Sequence, residues 1–162
     1  RTHVYEGEAL LDTQQVEAAR KWNYSRYKGR IAWVSPRTGA TNGDERATAE
    51  ATQVAHELEA FLEWSKEEPS RGQWDIAVLT FYRNQVERLR SALRPVHDIG
   101  GRVPNTFTIE GHGGAPVRVS LATVDRFQGR EADVVFLSIG KPRLTHFTRS
   151  LNRANVALTR AR

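Results

Sequence analysis

Short apolar runs alternate with stretches of helical periodicity along this chain, and this alternation constrains the fold more than any other feature. The run 76–80 is continuously apolar, which is typical of a strand buried on both faces. Short apolar runs also lie at 31–34 and 134–139, and a strand-like segment in which apolar and polar residues alternate more lies at 117–123. With amphipathic helices between them, these runs predict an α/β fold in which a parallel sheet is flanked by helices on both faces.

Two helices are predicted between the runs. The first starts at Asp44, a candidate N-cap, and ends before the turn residues at 69–72. Its apolar positions recur at spacings of three and four and are Ala47, Ala51, Val54, Leu58, Phe61 and Leu62. The second helix runs from about 83 to 93, with Val86, Leu89 and Leu93 on one side. The glycine-rich region 98–118 predicts an irregular excursion or a hairpin.

Composition limits the class of protein only loosely. The 162 residues suit one domain, and 24 Lys and Arg against 19 Asp and Glu leave a net charge of +5. That excess fits a nucleic-acid partner, although many ordinary soluble domains are equally basic. The absence of cysteine excludes disulfides and thiolate metal sites. No apolar run is long enough to cross a membrane, and the missing initiator methionine predicts a fragment or a processed chain.

The richest chemistry lies in the last forty residues. In 122–135 (ATVDRFQGREADVV), an acidic and amide-bearing turn runs into an apolar strand. A short segment with several arginines, 153–162 (RANVALTRAR), follows. This pairing suits a site that meets a nucleoside triphosphate from one side. The chain has no Gly-x-x-x-x-Gly-Lys-Ser/Thr loop, so the other side of such a site must come from elsewhere.

Three segments resemble motifs IV, V and VI of superfamily 1 helicases: 80–85 (TFYRNQ), 122–135 and 153–160. Their order and spacing are similar to those of the second RecA-like domain in the branch that contains the nonsense-mediated-decay RNA helicase and senataxin. The resemblance covers about 31–162, and 1–30 is then a segment leading into the domain. It implies a RecA-like sheet of the P-loop NTPase type, in a second domain that lacks the P-loop itself.

The resemblance also implies nucleotide-binding residues. Tyr82 would stack on adenine, with Gln85 beside it, and Glu131 would meet the ribose hydroxyls after the turn at Gly129. The family arginine that follows the glutamine is replaced here by Val86, so Arg83 is the candidate for the terminal phosphate. The alternative is that Tyr82 is a half-buried aromatic at a strand end and Arg83 a solvated helix start.

A second set is implied for nucleic acid, with Thr123, Asp125, Gln128 and Arg153 on the backbone of one strand. A structural alternative holds for Asp125 and Asp133, which could cap or brace the turn.

The arginines of the last motif can be compared by helical geometry. If 152–162 is a helix, Arg153 and Arg160 point within roughly 20° of each other, whereas Arg162 points nearly opposite to Arg160. Resemblance selects Arg160 as the arginine finger and leaves Arg153 to support it or bind nucleic acid. The alternative is an arginine-rich solvated helix face.

Other candidate sites are weaker. The five histidines are scattered without metal-ligand spacing, so no metal site is predicted. Basic and aromatic residues interleave in 21–30, which suits single strands or a solvated face equally. The four tryptophans are expected in the core or on partly buried surface, and base-stacking platforms are the alternative.

These implications describe the C-terminal half of an ATP-dependent DNA or RNA helicase. ATP and Mg²⁺ would be held mainly by a first RecA-like domain of the same protein, and the fragment alone would be inactive. Expected partners are that domain and single-stranded DNA or RNA, and no membrane association is expected. The resemblance favours translocation along the strand from 5′ to 3′. The expected location is intracellular, in cytoplasm or nucleus. The alternatives are a non-catalytic helicase-like binding module and a small basic RNA-binding protein.

Overall fold

The computed structural model describes residues 24–27, 31–36, 39, 42–67, 72–97, 100–110, 113–141 and 161. The chain divides into two compact units, Arg1–Trp33 and Val34–Arg162. In the first unit Tyr24 is buried, and its ring meets that of Tyr27 edge-on, with the centroids 6.4 Å apart. The Arg26 guanidinium lies 5.8 Å from the centroid of Tyr27. The described part of the basic and aromatic segment therefore packs against itself.

Helix α1, Gly43–Ser65, opens the second unit. Its N-cap is Asn42 and not Asp44, because the extended Asn42 accepts a hydrogen bond from the Glu45 N–H at 2.9 Å. Asp44 instead lies in the first turn, where a negative charge interacts favourably with the helix dipole. All six apolar positions predicted for this helix are buried.

Four strands form one sheet: β1 Trp74–Thr80, β2 Thr106–Ile109, β3 Val117–Thr123 and β4 Val134–Ser138. The spatial order is β2-β3-β1-β4. β1 is parallel to both β3 and β4, whereas β2 runs antiparallel to β3. The glycine-rich excursion is thus the hairpin expected as one option, and it adds an antiparallel edge to the predicted parallel sheet.

Helices cover both faces of this sheet. α2 spans Arg83–Ala92, α3 Arg94–His97 and α4 Val124–Phe127. α4 packs on the face that carries Ala77, Leu79 and Phe81. α2 reaches the other face, because Gln85 donates to Ser138, which pairs with Thr80. The α/β fold with flanking helices, consistent with a RecA-like domain, is confirmed. No helix in the described ranges is both long and apolar enough to span a bilayer.

The strand expected at 31–34 is not observed. Residues 31–36 take no regular secondary structure, and Ile31 and Trp33 are 79% and 81% exposed. An apolar run becomes a strand only when a neighbour satisfies its backbone groups, and sequence alone cannot supply that neighbour.

A cluster of aromatic rings closes the core at the start of β1. Phe61 and Trp64 of α1 and Trp74 of β1 have ring centroids 5.2 to 5.5 Å apart. Trp74 is buried and Trp64 half-buried. Trp64 and Trp74 therefore have the core or partly buried positions expected from the sequence, whereas the expectation is wrong for Trp33, which is 81% exposed.

Candidate nucleotide and nucleic-acid site

The parallel register aligns the carboxyl ends of three strands. Thr80 of β1 pairs with Thr123 of β3 on one side and with Ser138 of β4 on the other. Ligands of open α/β sheets bind beyond this edge. We call it the carboxyl edge, and it brings Tyr82, two residues past β1, together with Thr123 and the end of β4.

Tyr82 is the N-cap of α2 but makes no side-chain capping bond. It is half-buried and packs against the cluster that includes Phe81, Val124 and Phe127. The Lys141 ammonium lies 5.5 Å from its ring centroid, within the range of a cation–π interaction. Lys141 could not be predicted from sequence, because a lone exposed lysine carries no pattern and only its position after β4 brings it to this ring.

Gln85 lies inside the protein. Its side chain is fully buried, and its amide nitrogen donates to the Ala47 carbonyl at 2.8 Å and to the Ser138 hydroxyl at 2.9 Å. It thereby connects α1, α2 and the end of β4. With no exposed surface, Gln85 suits a positioning role better than the direct nucleotide contact predicted from sequence.

Glu50 of α1 holds the chain as it leaves β4. Its carboxylate accepts hydrogen bonds from the backbone N–H groups of Ile139 and Gly140, the latter at 3.0 Å. Bonds from two N–H groups to one carboxylate are charge-assisted and fix the path of the backbone toward Lys141. The helical periodicity of α1 gave no indication of this role.

The turn after β3 carries three predicted contacts with nucleic acid. Thr123 is buried and precedes α4 as its N-cap, but its hydroxyl makes no capping bond. Asp125 and Gln128 are both exposed. Gly129 follows with a φ of 81°, a conformation that strains other residues, so the turn itself requires glycine here.

Asp133 braces the start of β4 against β1. Its carboxylate accepts from the Asp75 N–H at 2.8 Å, and its own N–H donates to the Asp75 carbonyl at 2.7 Å. These bonds fit the structural alternative for Asp133, although they join two strands and do not cap the turn.

Glu131 is exposed and lies two residues before Asp133, near the start of β1. Asp75 is about 16 Å along the strand from Thr80. Tyr82, in contrast, lies past the end of β1. Glu131 therefore precedes the start of β4, which pairs with the start of β1, whereas Tyr82 follows the end of β1, because the 124–133 segment runs back along the sheet before β4 begins.

Arg153 and Arg160 lie outside the described residues. Ala161, the residue after Arg160, forms an isolated parallel bridge with Ala132, the residue after Glu131. A bridged residue is not helical, so the continuous helix assumed for 152–162 is wrong at residue 161. The bridge joins the immediate chain neighbours of Glu131 and Arg160.

A basic cleft of about 600 Å³ opens between α2, β3 and the chain leading into β2. We call it the arginine cleft. Its charged lining consists of five arginines and one carboxylate: Arg83, Arg90, Arg102, Arg126, Arg130 and Glu87. Thr123 lines it as well. The structure therefore places Arg83 in one cavity with a predicted nucleic-acid residue, and this grouping was not predicted from the sequence.

Comparison with known proteins is consistent with this fold. The model of an AAA domain family, AAA_12, matches residues 1–162. The chain is 39% identical over 90 residues to "Helicase sen1" of Schizosaccharomyces pombe and 34% identical over 87 residues to "5'-3' DNA helicase ZGRF1" of Mus musculus. Each match covers 54% of this chain but 4% of the relative. The chain therefore belongs to this AAA domain family, as a superfamily 1 helicase domain of the Sen1-like branch.

Proposed function

We propose that this chain is the C-terminal RecA-like half of an ATP-dependent DNA or RNA helicase. In this proposal it supplies the arginine finger and the nucleic-acid backbone contacts of a site completed by a first RecA-like domain. The bridge between Ala132 and Ala161 carries the proposal, because it joins the turn that holds Glu131 to the segment that holds Arg160. Family membership supports the same assignment.

On the nucleotide side, Glu131 would bind the ribose hydroxyls of ATP. The phosphoryl group in transfer comes from ATP. The Arg160 guanidinium would stabilise the negative charge that develops on it. The sequence also predicts Tyr82 and Gln85 here. We leave both out of this set, because Tyr82 lies toward the other end of β1 and Gln85 is buried.

Mg²⁺ is assigned mainly to the first RecA-like domain. Among the described residues of this chain, no group of three or more His, Asp or Glu side chains could hold a metal ion. The fragment alone would be inactive, because its sequence lacks a P-loop.

On the nucleic-acid side, Thr123, Asp125 and Gln128 would contact the backbone of one strand at the carboxyl edge, with Arg153 in support. Backbone contacts carry no sequence information, so binding would be salt-dependent and weakly sequence-selective. Opening and closing of the two domains around ATP would move this contact along the strand. The protein would work in cytoplasm or nucleus, where its substrates are found.

The proposal is tested by the ATPase activity of the full-length protein, with and without single-stranded DNA or RNA. Arg160→Ala is expected to lower turnover by about 10³ to 10⁵, the cost of removing an arginine finger in other phosphoryl-transfer enzymes. Arg94→Ala is the matched control, because Arg94 is an exposed arginine on α3 outside the arginine cleft. Unchanged hydrolysis in Arg160→Ala would reject the finger. Strand binding without any hydrolysis by the wild type would favour a non-catalytic binding module.

A further inference from the structure

We propose that the arginine cleft binds successive phosphates of a single nucleic-acid strand, and that Arg83 and Arg126 are its principal anion-binding residues. The inference rests on the proposed function for one point only, namely that the bound polyanion is a nucleic acid. It assigns Arg83 to nucleic acid, whereas the sequence resemblance assigns this residue to the terminal phosphate of ATP.

Two exposed arginines of the cleft are unpaired with any described residue. Within the described ranges, Arg83 and Arg126 form no hydrogen bond or ion pair, and both are exposed. Arg83 begins α2 and Arg126 belongs to α4, so two separate elements direct like charges into one cavity. Like charges repel most strongly in a concave site, and a bound anion would relieve that repulsion.

A third arginine forms the wall of the cleft. Arg90 is buried, and its guanidinium donates to the Val103 carbonyl and, at 2.7 Å, to the Asn105 side chain. Glu87 accepts from both Arg90 and Arg102, at 3.2 and 3.0 Å. This network holds the chain before β2 against α2. The cleft is therefore a built feature of the fold and not a chance gathering of mobile side chains.

The shape of the cleft favours a polymer backbone. Arg83 and Arg90 are seven residues apart on α2, so this wall extends about 10 Å, longer than one phosphate group. No aromatic side chain lines the described cavity, so it offers no platform on which a base or an adenine ring could stack. Guanidinium groups recognise phosphate oxygens without reading sequence. Thr123 continues this lining to the carboxyl edge.

The test is equilibrium binding of the full-length protein, without nucleotide, to oligo(dT) and oligo(U) of about 20 nucleotides, longer than the roughly 4–16 that such grooves cover. Affinity is measured between about 50 and 200 mM salt. For single strands, the logarithm of affinity falls with the logarithm of salt by about 0.7 per phosphate contact. Arg83→Gln and Arg126→Gln should each reduce this slope by about 0.7, and the double variant by about 1.4. Arg94→Gln, outside the cleft, should leave the slope unchanged.

An unchanged slope in the double variant overturns the inference. So does a rise in the KM for ATP of Arg83→Gln with unaltered binding of the oligonucleotide, since that result returns Arg83 to the nucleotide. If the two arginine substitutions weaken binding of polyglutamate as much as binding of the oligonucleotides, the ligand is an acidic protein segment, and this result would also overturn the inference. Circular dichroism checks that each variant is folded. Binding is measured without ATP and so does not depend on hydrolysis. A protein that fails the ATPase test can therefore still pass or fail this binding test.

Discussion

Replacing Gly140 by alanine should destabilise the chain more than the same replacement at Gly129. Both glycines have positive φ, 68° at Gly140 and 81° at Gly129. Only Gly140 is crowded, since a Cβ added there would lie 2.8 Å from the Gln85 Cγ, whereas one added at Gly129 meets nothing within 4 Å. Gln85 cannot retreat easily, because its amide is bonded to Ala47 and Ser138.

The magnitude follows from two contributions. A left-handed backbone costs an L-residue about 1–2 kcal/mol, and both variants share this cost. Forcing an extra methyl group into a packed interior adds about 1–3 kcal/mol, and this applies only at Gly140. The effect of the substitution on the unfolded chain is common to both. Gly140→Ala is therefore expected to be about 1–3 kcal/mol less stable than Gly129→Ala.

Urea unfolding of the 162-residue chain measures this difference, with tryptophan fluorescence as the signal from Trp64 and Trp74. With a denaturant slope near 2 kcal/mol per molar, the midpoint of Gly140→Ala should lie roughly 0.5–1.5 M below that of Gly129→Ala. In a Gln85→Ala background the penalty at Gly140 should shrink, because the crowded Cγ is gone. Equal midpoints for the two glycine variants would refute the reasoning.

Two further predictions concern the carboxyl edge. Glu50→Ala should lower the free energy of unfolding by about 1–3 kcal/mol in the same assay, because two backbone N–H groups lose a charged acceptor. Glu59→Ala, an exposed position on the same helix, is the control, and an equal effect of the two would contradict the role of Glu50. Tyr82→Ala in the full-length protein should leave the KM for ATP within about threefold, because Tyr82 lies away from Glu131. A rise of about 5–150-fold, the loss expected for a stacked base, would restore the contact with adenine predicted from sequence, and Tyr82→Phe checks that the ring alone is responsible.

Much of the fold could be predicted because it depends on local periodicity. The apolar spacing of α1 identified its buried face, continuous apolar runs identified β1 and β4, and a more alternating segment identified β3. The ends of helices and strands were harder to predict. Asn42 and Asp44 are both good capping residues, and only the backbone conformation distinguishes them. The run at 31–34 has strand composition but no observed partner, and pairing is a property of the whole chain.

The sequence predicted which segments contribute to the candidate site but not which of their residues lie close together. Motif residues are recognisable by type and spacing, so Thr123, Glu131 and Arg160 could be named from sequence. Their arrangement could not, because it depends on where each strand starts and ends in the sheet. The register places Thr123 level with Thr80, and the hydrogen bonds to Asp75 set Asp133 beside the start of β1, whereas Tyr82 follows its end.

By itself, the sequence determined the α/β class, the buried faces of the helices and the resemblance to superfamily 1 helicases. All three depend on residue type and short-range spacing, which the chain carries in any conformation. Only the tertiary structure decided that Gln85 is buried, that Glu50 fixes the end of β4 and that Arg83 and Arg126 share one cleft. Those relations join residues far apart in the chain, and burial and charge proximity exist only once the sheet has brought them together.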